Sequence, residues 1–180
     1  MIFTETKLNN ACIIELETLN DDRGFFARAW CKKELEERGL SGKVMQANVA
    51  YNKYKGILRG LHRQVAPYEE VKIVRCTRGT IYDVIVDLRK ESSSYKQWIG
   101  IELSASNRKS LYVPEGFAHG YLTLEDNCEV FYQVSQYYSG AHERGARWDD
   151  KAFAIEWPKL DVDLIISDKD KSWPDFEESQ

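Results

Sequence analysis

The sequence predicts an all-β fold, an antiparallel sandwich or barrel with a few short helices, and two observations support this. The middle of the chain carries a series of short segments rich in β-branched and aromatic residues. Turn-forming residues separate these segments, as at Arg78-Gly79 and Ser92-Ser93-Ser94. Regular short strands with such turns between them favour antiparallel pairing over alternating strands and helices.

The elements follow from these residue types in chain order. The predicted strands are Ile73–Cys76, Thr80–Leu88, Trp98–Leu103, Ser110–Pro114 and Cys128–Val134. One helix is predicted over Lys32–Arg38, where Glu34 and Arg38 have the spacing of an ion pair and Gly39 follows as the terminating residue. The tail, from Ile165 to Pro174, predicts a short helical turn or a loop.

The segment Thr80–Leu88 carries two aspartates on one face. Side chains two residues apart in a strand share a face, so Asp83 and Asp87 point one way and Val84 and Val86 the other. A carboxylate inside a small barrel is unusual unless it is paired or solvated. Asp83 is expected either to accept a hydrogen bond from a histidine ring or to be a structural carboxylate, and for Asp87 the structural role is favoured.

Two of the three histidines stand beside glycines in strand-like segments, His62 in Arg59–Gln64 and His119 in Pro114–Gly120. Histidine has the side-chain pKa nearest neutrality, so these two are candidates to move or orient protons. The alternative is a pair of packed, hydrogen-bonded histidines in the barrel. The residues alone leave both interpretations open.

Length and charge exclude several classes of protein. The 180 residues predict a single domain over 1–180 that can bury one sizeable core. The net charge is −4 with both signs interspersed, which is typical of a soluble protein and gives no general attraction to nucleic acid or an anionic membrane. A phosphorylated ligand would therefore be bound locally, by a few placed Arg and Lys.

The cysteines and the N-terminus predict a cytoplasmic location. Cys12, Cys31, Cys76 and Cys128 lie far apart with no C-x-x-C pair, which fits reduced thiols better than a zinc site or a redox motif. The first residues lack the layout of a signal peptide, and no apolar run is long enough for a membrane span.

A series of short motifs along the chain carries a family resemblance. They include Asp22-Arg23-Gly24-Phe25-Phe26, Arg59-Gly60-Leu61-His62-Arg63-Gln64, Asp83-Val84-Ile85-Val86-Asp87-Leu88-Arg89, Pro114-Glu115-Gly116-Phe117-Ala118-His119-Gly120 and Ser167-Asp168-Lys169-Asp170. In this order they closely resemble the dTDP-4-dehydrorhamnose 3,5-epimerase family, over essentially the whole chain. The resemblance implies a cupin-like antiparallel β-barrel, or jelly roll, that is active as a homodimer without a metal or nucleotide cofactor.

The reaction of such a family, an isomerisation in deoxysugar biosynthesis, needs three groups. A ketone at C4 of a sugar acidifies the hydrogens at C3 and C5, so inversion requires a base, a stabiliser of the enolate oxygen and an acid on the opposite face. By resemblance His62 is the base, Lys72 the stabilising cation and Tyr132 the acid. Asp170 resembles the carboxylate that pairs with this histidine. By its residue type alone, Tyr132 fits a core aromatic in a strand better, and its position within the resemblance reverses this preference.

The resemblance also implies the residues that bind a nucleotide-diphospho-sugar. Arg23, Arg59 and Lys169 match positions that bind phosphate. Tyr138 resembles a residue that stacks on the base. The further positions are Phe26, Gln46, Asn48, Glu143 and an inner pair of Asp83 and His119. In this family the segment bearing Arg23 and Phe26 tends to complete the neighbour's site, which implies shared active sites in a homodimer.

Three departures from the family pattern bear on the substrate. Arg63 replaces an aromatic residue after the histidine, Arg28 replaces a Glu two residues after Phe26, and the stretch from Asn48 to Arg59 is one residue longer. Arginine has only donors and cannot accept from the N3–H of thymine, whereas cytosine presents acceptors. Arg28 therefore predicts a CDP-linked 4-keto sugar as an alternative substrate, unless the side chain turns outward or binds phosphate.

Two other classes of function remain as alternatives. A metal-dependent cupin usually needs an H-x-H pair, which this chain lacks, so His62, His119 and His142 would all have to converge. A non-catalytic cupin that only binds sugar nucleotides would have lost the acid or the base. The retention of His62, Lys72, Tyr132 and Asp170 argues against this second class.

Overall fold

The computed structural model describes residues 1–177 and consists mostly of antiparallel strands. The strands are β1 (Ile2–Glu5), β2 (Cys12–Glu15), β3 (Thr18–Asp21), β4 (Gly24–Ala27), β5 (Gln46–Asn52), β6 (Ile57–Gln64), β7 (Lys72–Arg78), β8 (Thr80–Asp87), β9 (Trp98–Ser104), β10 (Ser110–Val113), β11 (Phe117–Thr123), β12 (Cys128–Val134), β13 (Glu143–Gly145) and β14 (Ile165–Ile166). Two short helices, α1 (Lys32–Glu36) and α2 (Asp168–Lys171), accompany them. All five predicted strands are confirmed, with bounds that differ by at most two residues.

Two large sheets form the body of the fold. The first has the strand order β1-β2-β10-β7-β12-β5, and the second has the order β13-β6-β11-β8-β9 with β14 added in parallel to β6. Strands β3 and β4 pair only with each other, as a separate hairpin. The predicted all-β, jelly-roll class is therefore confirmed.

The main apolar core lies between the two large sheets, where the alternating side chains of both meet. Val74 of β7 and Leu111 of β10 pack there with Ile81 and Ile85 of β8, and all four are fully buried. A second cluster covers the outer face of the second sheet, where Phe153 packs against residues of β6, β8 and β11. Apolar side chains thus cover both faces of the second sheet.

The predicted helix is present but shorter, and its predicted ion pair between Glu34 and Arg38 is wrong. Glu34 instead binds the N-terminal ammonium of Met1 at 2.7 Å, and it also pairs with Arg28. The Arg38 guanidinium lies 4.3 Å from the centre of the Phe3 ring. The chain terminus lies next to α1 and offers Glu34 a closer cation, so the tertiary contact replaces the local one.

Candidate active site

A cavity of about 310 Å³ opens at one end of the two sheets, where β5 and β7 begin and β6 and β12 end. Most of its lining is polar, in contrast to the apolar core beneath it. Seven of the predicted site residues line it, namely Gln46, Asn48, His62, Lys72, Tyr132, Tyr138 and Glu143. The first sheet supplies four of these residues, and His62 and Glu143 come from strands of the second.

Gly60 and Gly120, which lie near the two histidines, allow strands β6 and β11 to approach each other closely. Gly60 of β6 has a φ of +113°, and a Cβ atom there would lie 2.6 Å from Gly120 Cα and from the His119 carbonyl oxygen of β11. The two strands therefore approach more closely than side chains would permit. This approach brings His62 and His119 opposite each other in the register of the second sheet.

His62 is paired with the carboxylate that the sequence analysis assigned to it. Its Nε2 lies 2.6 Å from Asp170 Oδ1, although the two residues are 108 positions apart. The Asp170 side chain is 5% exposed, while that of His62 is 29% exposed. An ionised Asp170 holds the proton on Nε2, which leaves Nδ1 of the ring to accept a proton.

The segment from β14 to α2 places Asp170 behind the histidine. Ser167 caps α2 by accepting a hydrogen bond from the Asp170 backbone N–H at 3.1 Å. The Gly60 N–H donates to the second carboxylate oxygen at 3.3 Å. Burial disfavours the ionised form of Asp170, but the hydrogen bond from His62 and the charge on that ring outweigh burial and lower the carboxyl pKa.

Lys72 lies at the start of β7 with its side chain only 12% exposed. Its ammonium is 3.2 Å from Glu70 Oε1, a second buried carboxylate in the same cavity. Glu70 lies outside the predicted set, since the sequence analysis assigned it no role. Nothing local in the sequence distinguishes it from the exposed Glu69 beside it.

Tyr132 enters the cavity from β12, between Asn48 of β5 and Val74 of β7 in the sheet register. The sequence left a core aromatic as the alternative, and the residue does pack on the edge of the main core while its ring lines the cavity. Burial raises the pKa of its hydroxyl, Glu70 raises it further, and Arg59 opposes both. A protonated tyrosine is thereby favoured at neutral pH.

The pair of Asp83 and His119 lies deeper in the barrel. His119 Nε2 is 2.8 Å from Asp83 Oδ1, and Asp83 is fully buried. The prediction that Asp83 meets a histidine ring is confirmed. Asp87 has the structural role that the sequence favoured, because it accepts hydrogen bonds from Arg89, Ser92 and Ser94.

A groove of about 450 Å³ adjoins the cavity and shares His62 with it. Arg59 and Lys169 line this groove together with Asp170. Arg59 is held from behind, since its Nε donates to Asn52 Oδ1 at 2.8 Å and Tyr121 donates to the same oxygen at 3.2 Å. The sequence analysis assigned no role to Asn52, a fully buried side chain.

The rim of the cavity carries four predicted residues in one network. Lys169 Nζ lies 2.6 Å from Glu143 Oε2, and the Tyr138 hydroxyl donates to the same oxygen at 2.9 Å. Gln46 accepts a hydrogen bond from the Tyr138 backbone N–H at 2.8 Å. The Tyr138 ring remains 65% exposed, so a flat ligand group can reach its face.

Besides the deeper pair of Asp83 and His119, three predicted residues lie outside this cavity and groove within the same chain. Arg23 and Phe26 belong to the β3–β4 hairpin, and Arg28 follows it. Arg23 forms an ion pair with Asp21 at 2.6 Å, and the Phe26 ring is 69% exposed. Arg28 points to Glu34, on a different surface from the cavity.

Residues 1–177 contain no cluster of three or more His, Cys, Asp or Glu that could hold a metal ion. His142, the third histidine, stacks on Tyr68 at 4.4 Å and bonds to Ser139, so it does not converge with His62 and His119. No helix of these residues is long and apolar enough to cross a membrane. The four cysteines are free thiols.

Comparisons with known proteins agree with this geometry. Residues 5–178 match the family model described as dTDP-4-dehydrorhamnose 3,5-epimerase. A relative of that name from Methanothermobacter thermautotrophicus is 42% identical over 98% of this chain and 95% of its own length. The corresponding crystal structure from Elizabethkingia anophelis superposes with a TM-score of 0.95 at 36% identity and covers 98% of this chain and 96% of the other.

A second solved structure contains ligands. It is the enzyme of the same name from Bacillus anthracis, solved with TDP and PPi bound, and it is 44% identical with a TM-score of 0.91 over 97% of this chain and 99% of the other. Identity at this level over nearly the whole of both chains shows family membership. The chain belongs to the dTDP-4-dehydrorhamnose 3,5-epimerase family and is an epimerase of that type.

Proposed function

We propose that the chain inverts C3 and C5 of a dTDP-linked 4-keto-6-deoxy sugar, with His62 as base, Lys72 as stabiliser of the enolate oxygen and Tyr132 as acid. One observation carries this proposal. His62, held by the buried Asp170, shares a cavity with Lys72 and Tyr132, which come from the opposite sheet. A base and an acid on facing sheets can address opposite faces of a flat enolate held between them.

The proposed chemistry consists of proton transfers alone. His62 removes the hydrogen next to the ketone, and the electron pair moves onto the C4 oxygen as the enolate forms. The Lys72 ammonium offsets this charge where water is partly excluded. Tyr132 then delivers a proton to the other face of the same carbon. The buried Asp170 carboxylate stabilises the imidazolium that exists between the two transfers.

The nucleotide is proposed to bind along the groove and rim. Arg59 is held by Asn52 and Lys169 lies beside it, so two cations line one groove. They suit a diphosphate, for which the acidic chain offers no general attraction. Tyr138 would stack on the base. The TDP bound to the Bacillus anthracis relative supports thymine as that base.

We further propose a homodimer in which the β3–β4 hairpin of one protomer reaches the site of its partner. Arg23 and Phe26 are predicted substrate-binding residues, yet they lie on an exposed hairpin that pairs only with itself. Leu19 and Phe25 of the same hairpin are also exposed. A single catalytic domain over 1–180 and a reducing, cytoplasmic location remain proposals, and free thiols support the latter.

Hydrogen exchange at the sugar tests the role of His62. In deuterated water, the wild type should place deuterium at C3 and C5 of the dTDP-4-keto-6-deoxy sugar. His62→Asn should slow this exchange by roughly 10²- to 10⁴-fold, the usual contribution of a general base, while dTDP binding changes little.

A matched control is available at the third histidine. His142→Asn should exchange at the wild-type rate, because His142 lies outside the cavity and bonds to Ser139. Exchange at the wild-type rate in His62→Asn would remove His62 from its proposed role.

A further inference from the structure

Glu70 is a carboxylate in the active-site cavity to which the mechanism above gives no part. Its side chain is 10% exposed, and its two oxygens have different partners. Oε1 lies 3.2 Å from Lys72 Nζ, and Oε2 accepts a hydrogen bond from Gln64 Nε2 at 3.3 Å. A carboxylate held at both oxygens has a defined position in the cavity.

Gln64 is itself fixed by the loops around the cavity mouth. Its Nε2 carries two N–H groups, which it shares among Glu70, the Tyr68 carbonyl at 2.9 Å and the Tyr137 carbonyl at 3.2 Å, and its Oε1 accepts from the Ser139 N–H. Glu70 is therefore anchored through Gln64 to both loops that border the cavity. A buried negative charge opposes the binding of an anionic substrate, so its presence there calls for a use in the reaction.

We propose that Glu70 is a positioning residue for the epimerisation: its carboxylate fixes the Lys72 ammonium at the place where the enolate oxygen forms. This inference rests on the proposed roles of Lys72 and Tyr132. A lysine side chain has four rotatable carbon bonds and is a point charge without a preferred direction. One contact to Glu70 restricts it, and two of its three N–H donors remain for the substrate oxygen.

Glu70 also acts on the proposed acid. Burial is the largest cause of the raised pKa of Tyr132, and the negative charge of Glu70 is the next, with Arg59 opposing them. The other ionisable groups around this cavity come from β6, β7, β13 and the loop before β13, and they are His62, Arg63, Lys72, Glu143 and Tyr138. Removal of the Glu70 charge leaves burial as the cause that opposes Arg59, so the pKa of Tyr132 should fall.

Glu70→Gln tests the inference because it keeps the size of the side chain and removes its charge. We expect kcat to fall by roughly 10- to 100-fold, the effect of a misplaced group in the transition state. KM should stay the same or fall, because a repulsive charge leaves the cavity. The alkaline limb of kcat/KM against pH should move to lower pH, since Tyr132 would lose its proton earlier.

Two further variants make the result decisive. Glu69→Gln removes the neighbouring exposed charge and should leave kcat and the pH profile unchanged. Glu70→Asp keeps the charge, and it should recover part of kcat and return the alkaline limb towards its wild-type position. If Glu70→Gln lacks the fold, which dTDP binding would reveal, the comparison of Glu70→Asp with the wild type carries the test through the same two measurements.

The failure of this inference differs from a failure of the proposed function. An unchanged kcat and alkaline limb in Glu70→Gln, with exchange still slowed as expected in His62→Asn, would overturn the role of Glu70 alone. A parallel loss of kcat and dTDP binding that Glu70→Asp does not recover would also overturn it, because a merely structural role gives that result. Full exchange in His62→Asn would instead overturn the proposed roles on which the inference rests.

Discussion

At the scale of single residues, the main feature of this protein is a set of buried carboxylates, each with a partner close by. Asp83, Asp87 and Asp170 are almost fully buried, and Glu70 nearly so. Each has a cationic or histidine partner within 3.2 Å, which offsets the cost of taking a charge out of water. Asp87 has an arginine and two hydroxyls as partners, and it lines neither the cavity nor the adjoining groove.

Tyr132→Phe should separate deprotonation from inversion. Deprotonation needs only the base and the stabilised enolate, whereas inversion needs a donor on the opposite face. We expect deuterium exchange at C3 and C5 to continue while net inversion falls by roughly 10²- to 10⁴-fold. Product analysis by NMR in deuterated water measures both quantities in one sample.

Tyr121→Phe is the matched control for this prediction. The Tyr121 hydroxyl is also buried, but it bonds to Asn52 behind Arg59 rather than facing the cavity. Its loss should alter nucleotide affinity and leave the ratio of exchange to inversion unchanged. Inversion at the full rate in Tyr132→Phe would mean that another group is the acid.

At the scale of an element, the β3–β4 hairpin exposes large apolar side chains, although it pairs with no other strand of the described residues. Its register joins Leu19 to Phe26, and both side chains are about two-thirds exposed, at 67% and 69%. Isolated hairpins of this size are marginally stable in water. Docking on a partner protomer would cover this surface and bring Arg23 to a substrate-binding site.

A mixing experiment tests whether the hairpin acts on the partner's site. Arg23→Ala and His62→Ala variants should each be weakly active alone, but a mixed dimer would carry one site with both residues intact. Equal mixing with subunit exchange should restore about a quarter of the wild-type activity, since about half of the dimers are mixed and each has one good site. The steady-state rate before and after exchange is the measurement.

The control mixes two variants that act in one cavity. His62→Ala and Tyr132→Phe should restore nothing, because both residues line the cavity of a single chain and no mixed dimer has an intact site. Absence of recovery in the Arg23 mixture as well would show that the hairpin does not complete a neighbouring site.

At the scale of the whole molecule, the choice of nucleotide depends on how a few local contacts compare. The chain has a net charge of −4, so affinity for a diphosphate must come from placed cations such as Arg59 and Lys169. Arg28 suggested a CDP-linked substrate, but its side chain is exposed and pairs with Glu34 in its own chain. Within its own chain the Arg28 side chain therefore points outward, which was one of the two alternatives to base recognition; the other was phosphate binding.

We expect dTDP to bind more tightly than CDP, UDP or GDP in calorimetric titrations of the protein. The TDP bound to the Bacillus anthracis relative supports a site that pairs with thymine. In such a site another base leaves a buried polar group without a partner, which costs about 1–3 kcal/mol, or roughly ten- to hundredfold in affinity. Arg28→Ala should leave this order of nucleotides unchanged. Tightest binding of CDP, lost in Arg28→Ala, would instead support the CDP-linked alternative.

Much of the architecture could be predicted from the residues, because strand formation depends on local alternation. The five predicted strands were found, and alternation within Thr80–Leu88 correctly placed Asp83 on the inner face. Gly39 ends the helical segment with a φ of +72°, as its residue type predicted. The family resemblance added the pairing of His62 with Asp170, which the structure places at 2.6 Å.

Only the tertiary structure decided which charged groups meet. Arg38 lies at helical spacing from Glu34, yet Glu34 binds the N-terminal ammonium of Met1, 33 positions away, because the N-terminus lies beside α1. Glu70 and Glu69 are adjacent and alike in sequence, yet one is buried against Lys72 and the other exposed, because the loop enters the cavity at a single residue. Alternation and turn residues are local properties, and so the sequence by itself determined the five predicted strands and the face that Asp83 occupies. Ion pairs depend on how the fold places the charged groups, and this is why the Lys72–Glu70 contact emerged only from the structure. The position of the hairpin away from the cavity likewise depends on tertiary packing and not on local sequence.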